Sequence, residues 1–164
     1  MFRYFLIFSI LFIIVLSKCS LPFDHEIGDN CYYLVNKRMN FYDGDHYCKC
    51  NVNVWSSLAK ISNIIEANFI TSYARTEFGM DLGGFWIGCS RGGKGDSFEN
   101  MDGTLCFEHF AVGEVNRTGN FVGESTIDGK FYTKEETERL PFVCSYPKNN
   151  TNNMDQKSSE CAAR

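Results

Sequence analysis

The longest apolar run comes first. Phe5 to Leu16 is apolar except for Ser9; Arg3 precedes it, and Ser17, Lys18, Cys19 and Ser20 follow. A membrane-spanning helix needs about 20 such residues. The shorter run, with a charge before it and small polar residues after it, predicts a signal peptide over residues 1–17 and a mature chain beginning at Lys18. Beyond it the apolar positions become periodic. Residues 30–35 read as a short strand. From Asn40 to Cys50, Phe41, Gly44 or Asp45, and Cys48 recur at helical spacing. Asn63, with Glu66 three residues on, predicts an N-cap. Ile65, Phe69 and Tyr73 then follow at intervals of four, predicting the buried stripe of a second helix that Gly79 ends. Phe85 to Gly88 reads as a buried strand, with closing strands over residues 131–133 and 141–146.

Between Gly88 and Lys130 the periodicity fails. Nine glycines fall in this stretch and apolar runs are few, which predicts long loops with short strands. Long ordered loops on a compact domain are where binding residues concentrate. After Pro147 the chain turns to Asn, Lys, Ser and Gln, predicting a flexible polar tail over 148–164. The expected organisation is therefore a signal peptide (1–17), one domain (18–147) and a tail (148–164), with no membrane span once the signal is removed.

Charge and composition exclude several classes of function. The chain has 16 basic and 20 acidic residues and no Lys/Arg stripe, which argues against a nucleic-acid partner. The eight cysteines, at 19, 31, 48, 50, 89, 106, 144 and 161, are an even number, and a secreted chain makes disulfides their default state. Only Cys48 and Cys50 lie close together, so no paired metal-ligand spacing exists; the three histidines are scattered. No nucleophile stands beside an evident base, and no catalytic residue is assigned. Two sequons, Asn116-Arg117-Thr118 and Asn149-Asn150-Thr151, mark Asn116 and Asn149 as glycosylation candidates.

Six motifs fall in one order. Phe41-x-x-Gly44-x-x-x-Cys48 resembles the first helix of C-type lectin-like domains, where Trp and Ala take the first two positions. Leu58-Ala59-x-Ile61 followed by Glu66-x-x-Phe69-Ile70 resembles the second helix and its approach. Trp86-Ile87-Gly88, Asp102-Gly103, Gly113-Glu114-Val115-Asn116 and Pro141-Phe142-Val143-Cys144 resemble the central strand, a turn, the binding loop and the last strand. The resemblance implies an α+β fold: two helices flanking two small, mostly antiparallel sheets, with a long loop region on one face. It implies the bridge Cys48–Cys144 and an N-terminal bridge Cys19–Cys31. The family's loop bridge would need cysteines near Phe121 and at Glu136; Cys89 and Cys106 are extra and are expected to pair instead. Cys50 and Cys161 are left without assigned partners.

The resemblance also implies a function, binding rather than catalysis, with an extracellular glycan or protein as partner. In sugar-binding members a calcium ion holds the glycan, and Glu114 and Asn116 match two of its ligands. The proline between them is replaced by Val115, before which a cis bond costs about 2.5–4 kcal/mol. Phe131-Tyr132-Thr133 stands where Asn and Asp ligands are expected. The calcium site is therefore expected to be degenerate, with no metal or other cofactor. Glu114, Asn116 and Asn120 are the expected polar contacts to a carbohydrate; an exposed apolar patch would instead point to a protein ligand.

Overall fold

The computed structural model describes residues 19, 21, 24–79, 83–148 and 161. The signal peptide and the sequon at Asn149 lie outside these residues, as does all of the tail except Lys148 and Cys161. Eight strands form: β1 (His25–Ile27), β2 (Asn30–Met39), β3 (Ser57–Leu58), β4 (Phe85–Ser90), β5 (Glu99–Asn100), β6 (Phe121–Glu124), β7 (Phe131–Lys134) and β8 (Leu140–Pro147). Helix α1 (Phe41–Tyr47) continues into a π-helical turn (Cys48–Val52), and α2 (Ile64–Phe78) is the long helix. The strands run in the order β1-β2-β8-β4-β6-β7. Neighbours on this path are antiparallel except β4 and β8, which meet in parallel at Trp86 and Phe142. That bridge pair joins β1, β2, β3 and β8 to β4, β5, β6 and β7 in one eight-stranded sheet.

Alternation along the strands makes two cores, because successive side chains point to opposite faces. Phe85, Ile87 and Cys89 of β4 join Val122 and Val143 against Ala67, Ile70, Ala74 and Phe78 of α2. Trp86 faces the other way, with Phe121, Phe142, Cys144 and Tyr146, against Phe41 and Cys48 of the first helical segment. Trp86 is fully buried; its Nε1–H donates to the Met39 carbonyl at 2.8 Å, and Phe41 meets its ring edge-on at 5.7 Å.

Both helices begin where an Asn can cap them. Asn40 accepts from the Asp43 amide; Asn63 accepts from the amides of Ile65 and Glu66, while Glu66 reaches back to the Ser62 amide at 2.7 Å. The buried face of α2 differs from the one that its period-four residues predict. Ile65 is 61% exposed and Phe69 49%, whereas Ala67, Ile70, Ala74 and Phe78 are buried. Small residues at 67 and 74 let the helix lie close to the sheet, and Thr71 on the same face meets a polar group from β6. The larger side chains one position away are left outside, with Tyr73 stacked on His25 at 3.8 Å.

Gly88 is fixed by close approach. A Cβ there would lie 2.3 Å from the Leu58 carbonyl, and the Gly88 amide donates to the Ala59 carbonyl at 2.8 Å. Four disulfides staple the fold: Cys19–Cys31, Cys48–Cys144, Cys50–Cys161 and Cys89–Cys106. Cys48–Cys144 spans a sequence separation of 96 and ties the end of α1 to β8, a constraint of about 4–5 kcal/mol on chain entropy. Cys50–Cys161 fastens residue 161, within the segment read from sequence as a flexible tail, to the π-helical turn.

Candidate functional site

The long-loop region leaves the sheet at Ser90 and returns at Phe121. Cys89–Cys106 anchors its first half to β4. Asn100 organises the turn that follows β5: its side-chain amide donates to the Thr104 and Leu105 carbonyls, and its own backbone carbonyl accepts from Gly103 at 2.8 Å. Asp102 closes that turn by accepting from the Thr104 amide and hydroxyl, and Gly103 takes a positive φ of 79°. The hydrogen bond from Lys60, at 2.8 Å, and those from Thr104 hold the Asp102 carboxyl down at about 2.

The second half of the region is a 3-10 turn over Glu114–Asn116 followed by a bend at residues 117–118. Glu114 is only 3% exposed. Its Oε2 accepts from the Thr133 amide at 3.0 Å and the Thr133 hydroxyl at 3.1 Å, and its Oε1 pairs with Arg117 Nε at 2.7 Å. The side chain therefore turns inward, onto β7. Asn120 also points inward, its Oδ1 accepting from Arg91 Nε at 3.3 Å. Asn116 alone of the three expected polar contacts is exposed. The structure thus does not present Glu114, Asn116 and Asn120 as one convergent set: two hold the loop from within and one faces solvent. The exposed Asn116 side also leaves its sequon open to the surface.

Between the two halves lies a groove of about 650 Å³ lined by Asp96, Ser97, Phe98, Leu105, Phe110 and Val115, among others. Its floor is aromatic: Phe98 and Phe110 pack at 4.8 Å, and Phe110 meets Phe131 edge-on at 5.7 Å. Asp96 and Glu108 add carboxylates at its rim. Leu105 (71% exposed) and Val112 stand out into solvent beside it. Glu108 and His109 do not form an acid–base pair. His109 Nδ1 lies 3.4 Å from Lys130 Nζ, and burial, then the Lys130 charge, lowers its pKa.

Two residues outside the expected contact set matter here, one holding the loops and one in the core behind them. Arg91, at the end of β4, is 7% exposed, and its guanidinium donates to the carbonyls of Val115, Arg117 and Gly119. Glu124, on β6, is buried under α2, where the Thr71 hydroxyl bonds its Oε1; Oε2 has no partner among the described residues. Burial pushes the Glu124 carboxyl up to about 8 against the lowering effect of Thr71. Neither residue belongs to a motif with fixed spacing. The only signal in the sequence is a lone charge at a strand end, which is usually solvated.

Among the described residues, no helix is long and apolar enough to cross a membrane. No family model matches the chain. The chain is similar to C-type lectin domain-containing protein 162 of Caenorhabditis elegans, 29% identical over 152 residues; the match covers 86% of this chain and 46% of the relative. The chain thus spans about half the length of that relative. Among solved structures it is similar to human lithostathine, with a TM-score of 0.68 at 25% identity, covering 78% of this chain and 91% of that one. The mouse scavenger receptor C-type lectin carbohydrate-recognition domain superposes with a TM-score of 0.66 at 19% identity, over 77% and 94% of the two chains. The C-type lectin CEL-I from Cucumaria echinata gives 0.65 at 18% identity, over 74% and 93%. This is the fold of a binding module rather than of an enzyme. By the course of its backbone, this chain has the C-type lectin-like fold.

Proposed function

We propose that this is a secreted, extracellular binding protein that recognises carbohydrate through its long-loop face without calcium at Glu114 and Asn116. The groove carries the reading: its Phe98 and Phe110 floor offers apolar ring surface, and Asp96, Ser97 and Glu108 offer hydrogen-bonding groups to hydroxyls. Independence from calcium is supported by the donor set. A calcium ion takes six to eight oxygens, but both Glu114 oxygens already serve Thr133 and Arg117. Phe131, Tyr132 and Thr133 add no carboxylate on β7, and the Arg91 guanidinium bonds the carbonyls of the same loop. These residues do not fit the ion. Glu114 and Asn120 then support the face from behind, with Asn116 on its surface carrying either a glycan of its own or a ligand contact.

A second reading, a protein ligand, is favoured by one observation: Leu105, Val112 and Val115 are exposed together along the same loops. A glycan array probed with the purified, disulfide-intact protein in calcium and in EDTA separates the readings. Binding to a defined glycan class, equal in both buffers, is the expected result. Binding lost in EDTA would overturn the calcium-free site, and an empty array would leave the protein ligand as the reading.

A further inference from the structure

The cation at the centre of the loop region belongs to the chain itself. Arg91 Nη1 donates to the Val115 carbonyl at 2.9 Å, Nη2 to the carbonyls of Arg117 at 2.5 Å and Gly119 at 2.9 Å, and Nε to Asn120 Oδ1 at 3.3 Å. The Arg91 backbone amide adds a bond to the Asn120 carbonyl at 2.8 Å. The guanidinium carbon lies 4.5 Å over the Phe98 ring. These partners are neutral oxygens and a ring face, and all the oxygens come from one short stretch of loop.

Oxygens that converge on a point repel one another unless a positive charge sits between them. A metal ion can gather them, and so can a guanidinium, whose five N–H groups are fixed in a plane and whose charge is permanent. Arg91 touches two of the groove's lining residues at once, the Phe98 ring and the Val115 carbonyl. We infer that Arg91 is the positioning residue of the long-loop face: its guanidinium stands in for a loop-ordering metal ion and holds the groove between Phe98 and Val115 in its binding shape. The shape is then built in on folding. A lysine at 91 would keep the charge but lose the planar fork that reaches several carbonyls.

The ligand-binding part of this inference rests on the proposed function; the loop-ordering part is testable without any ligand. Hydrogen exchange on the ligand-free, disulfide-intact protein reads it directly. The wild-type amides of Glu114, Asn116 and Arg117, each bonded within the loop, should exchange equally in calcium and in EDTA. In Arg91→Ala they should exchange about tenfold faster or more, since the charge-assisted bonds to the loop carbonyls are lost. The amides of β2 and β8 should keep their protection. Methylguanidinium added to Arg91→Ala should restore part of the loop protection, and Arg91→Lys should not. Loop exchange that stays within about twofold of wild type in Arg91→Ala, or wild-type protection that requires calcium, would overturn the inference. If Arg91→Ala does not fold, Asn120→Ala removes one acceptor and should speed the same amides several-fold; unchanged exchange there overturns it equally. An empty glycan array leaves all of these outcomes readable.

Discussion

The two ends of β4 show two ways of holding a chain in place. At Trp86 the strand is gripped by apolar surface on both faces, with α1 on one side and α2 on the other. A few residues later, at Arg91, the strand ends and the same chain is held by hydrogen bonds to loop carbonyls. Apolar burial is additive and non-directional, so it tolerates exchange of one ring for another, as with Phe41 where related domains carry Trp. A polar hold depends on each donor meeting its acceptor, and losing one partner leaves the other buried and unpaired. The sheet half therefore accepts exchange among apolar side chains of similar volume, while the loop half resists substitution of chemistry. Glu124, paired with Phe85 and bonded to Thr71 of α2, is a polar group set into the apolar end.

The largest effect should come from the apolar end. Trp86→Ala should cost about 3–5 kcal/mol of global stability and leave the Met39 carbonyl without its partner. Urea denaturation measures it; a loss confined to the loops would break the contrast. Next comes the polar group set into that end. The Glu124 carboxyl titrates at about 8 in the folded protein and near its ordinary value of 4.5 when unfolded. With the folded pKa raised, the stabilisation is fully present below pH 4.5. It is lost as pH rises from there through 8. Denaturation from pH 4.5 to 8.5 should show that decline, and Glu124→Gln should flatten it; a decline that survives in the variant would place its origin elsewhere. The smallest effect is at the polar end. Glu114→Ala strips the Thr133 amide and hydroxyl of their acceptor and should cost about 1–3 kcal/mol. Local hydrogen exchange should reveal it first at residues 114–117, with β2 and β8 unchanged. A cooperative loss across the sheet would mean that the halves are not separable.

Legibility from sequence followed the same division. The capped helix starts at Asn40 and Asn63, the Trp86-Ile87-Gly88 strand and the Asp102-Gly103 turn were readable because each depends on neighbours in the chain. The α2 stripe was misjudged by one residue. Ile65, Phe69 and Tyr73 are the larger side chains, but packing against the sheet selected the small Ala67 and Ala74 with Ile70 and Phe78. Hydrophobic size alone does not say which face fits. The inward turn of Glu114 and Asn120 was also beyond a sequence reading, since their partners, Thr133 and Arg91, lie 19 and 29 residues away.

The sequence by itself determined the class of fold, through six motifs in one order, because each motif is a matter of residue identity and local spacing. It also determined that Phe131, Tyr132 and Thr133 bring no carboxylate to β7, because that is a matter of residue identity. Only the tertiary structure decided the joining of Cys50 to Cys161, the burial of Glu124 beneath α2 and the convergence of loop carbonyls on Arg91. Those depend on where distant segments meet. A charged side chain is solvated or buried according to the groups that fold around it, which its neighbours in the chain do not specify.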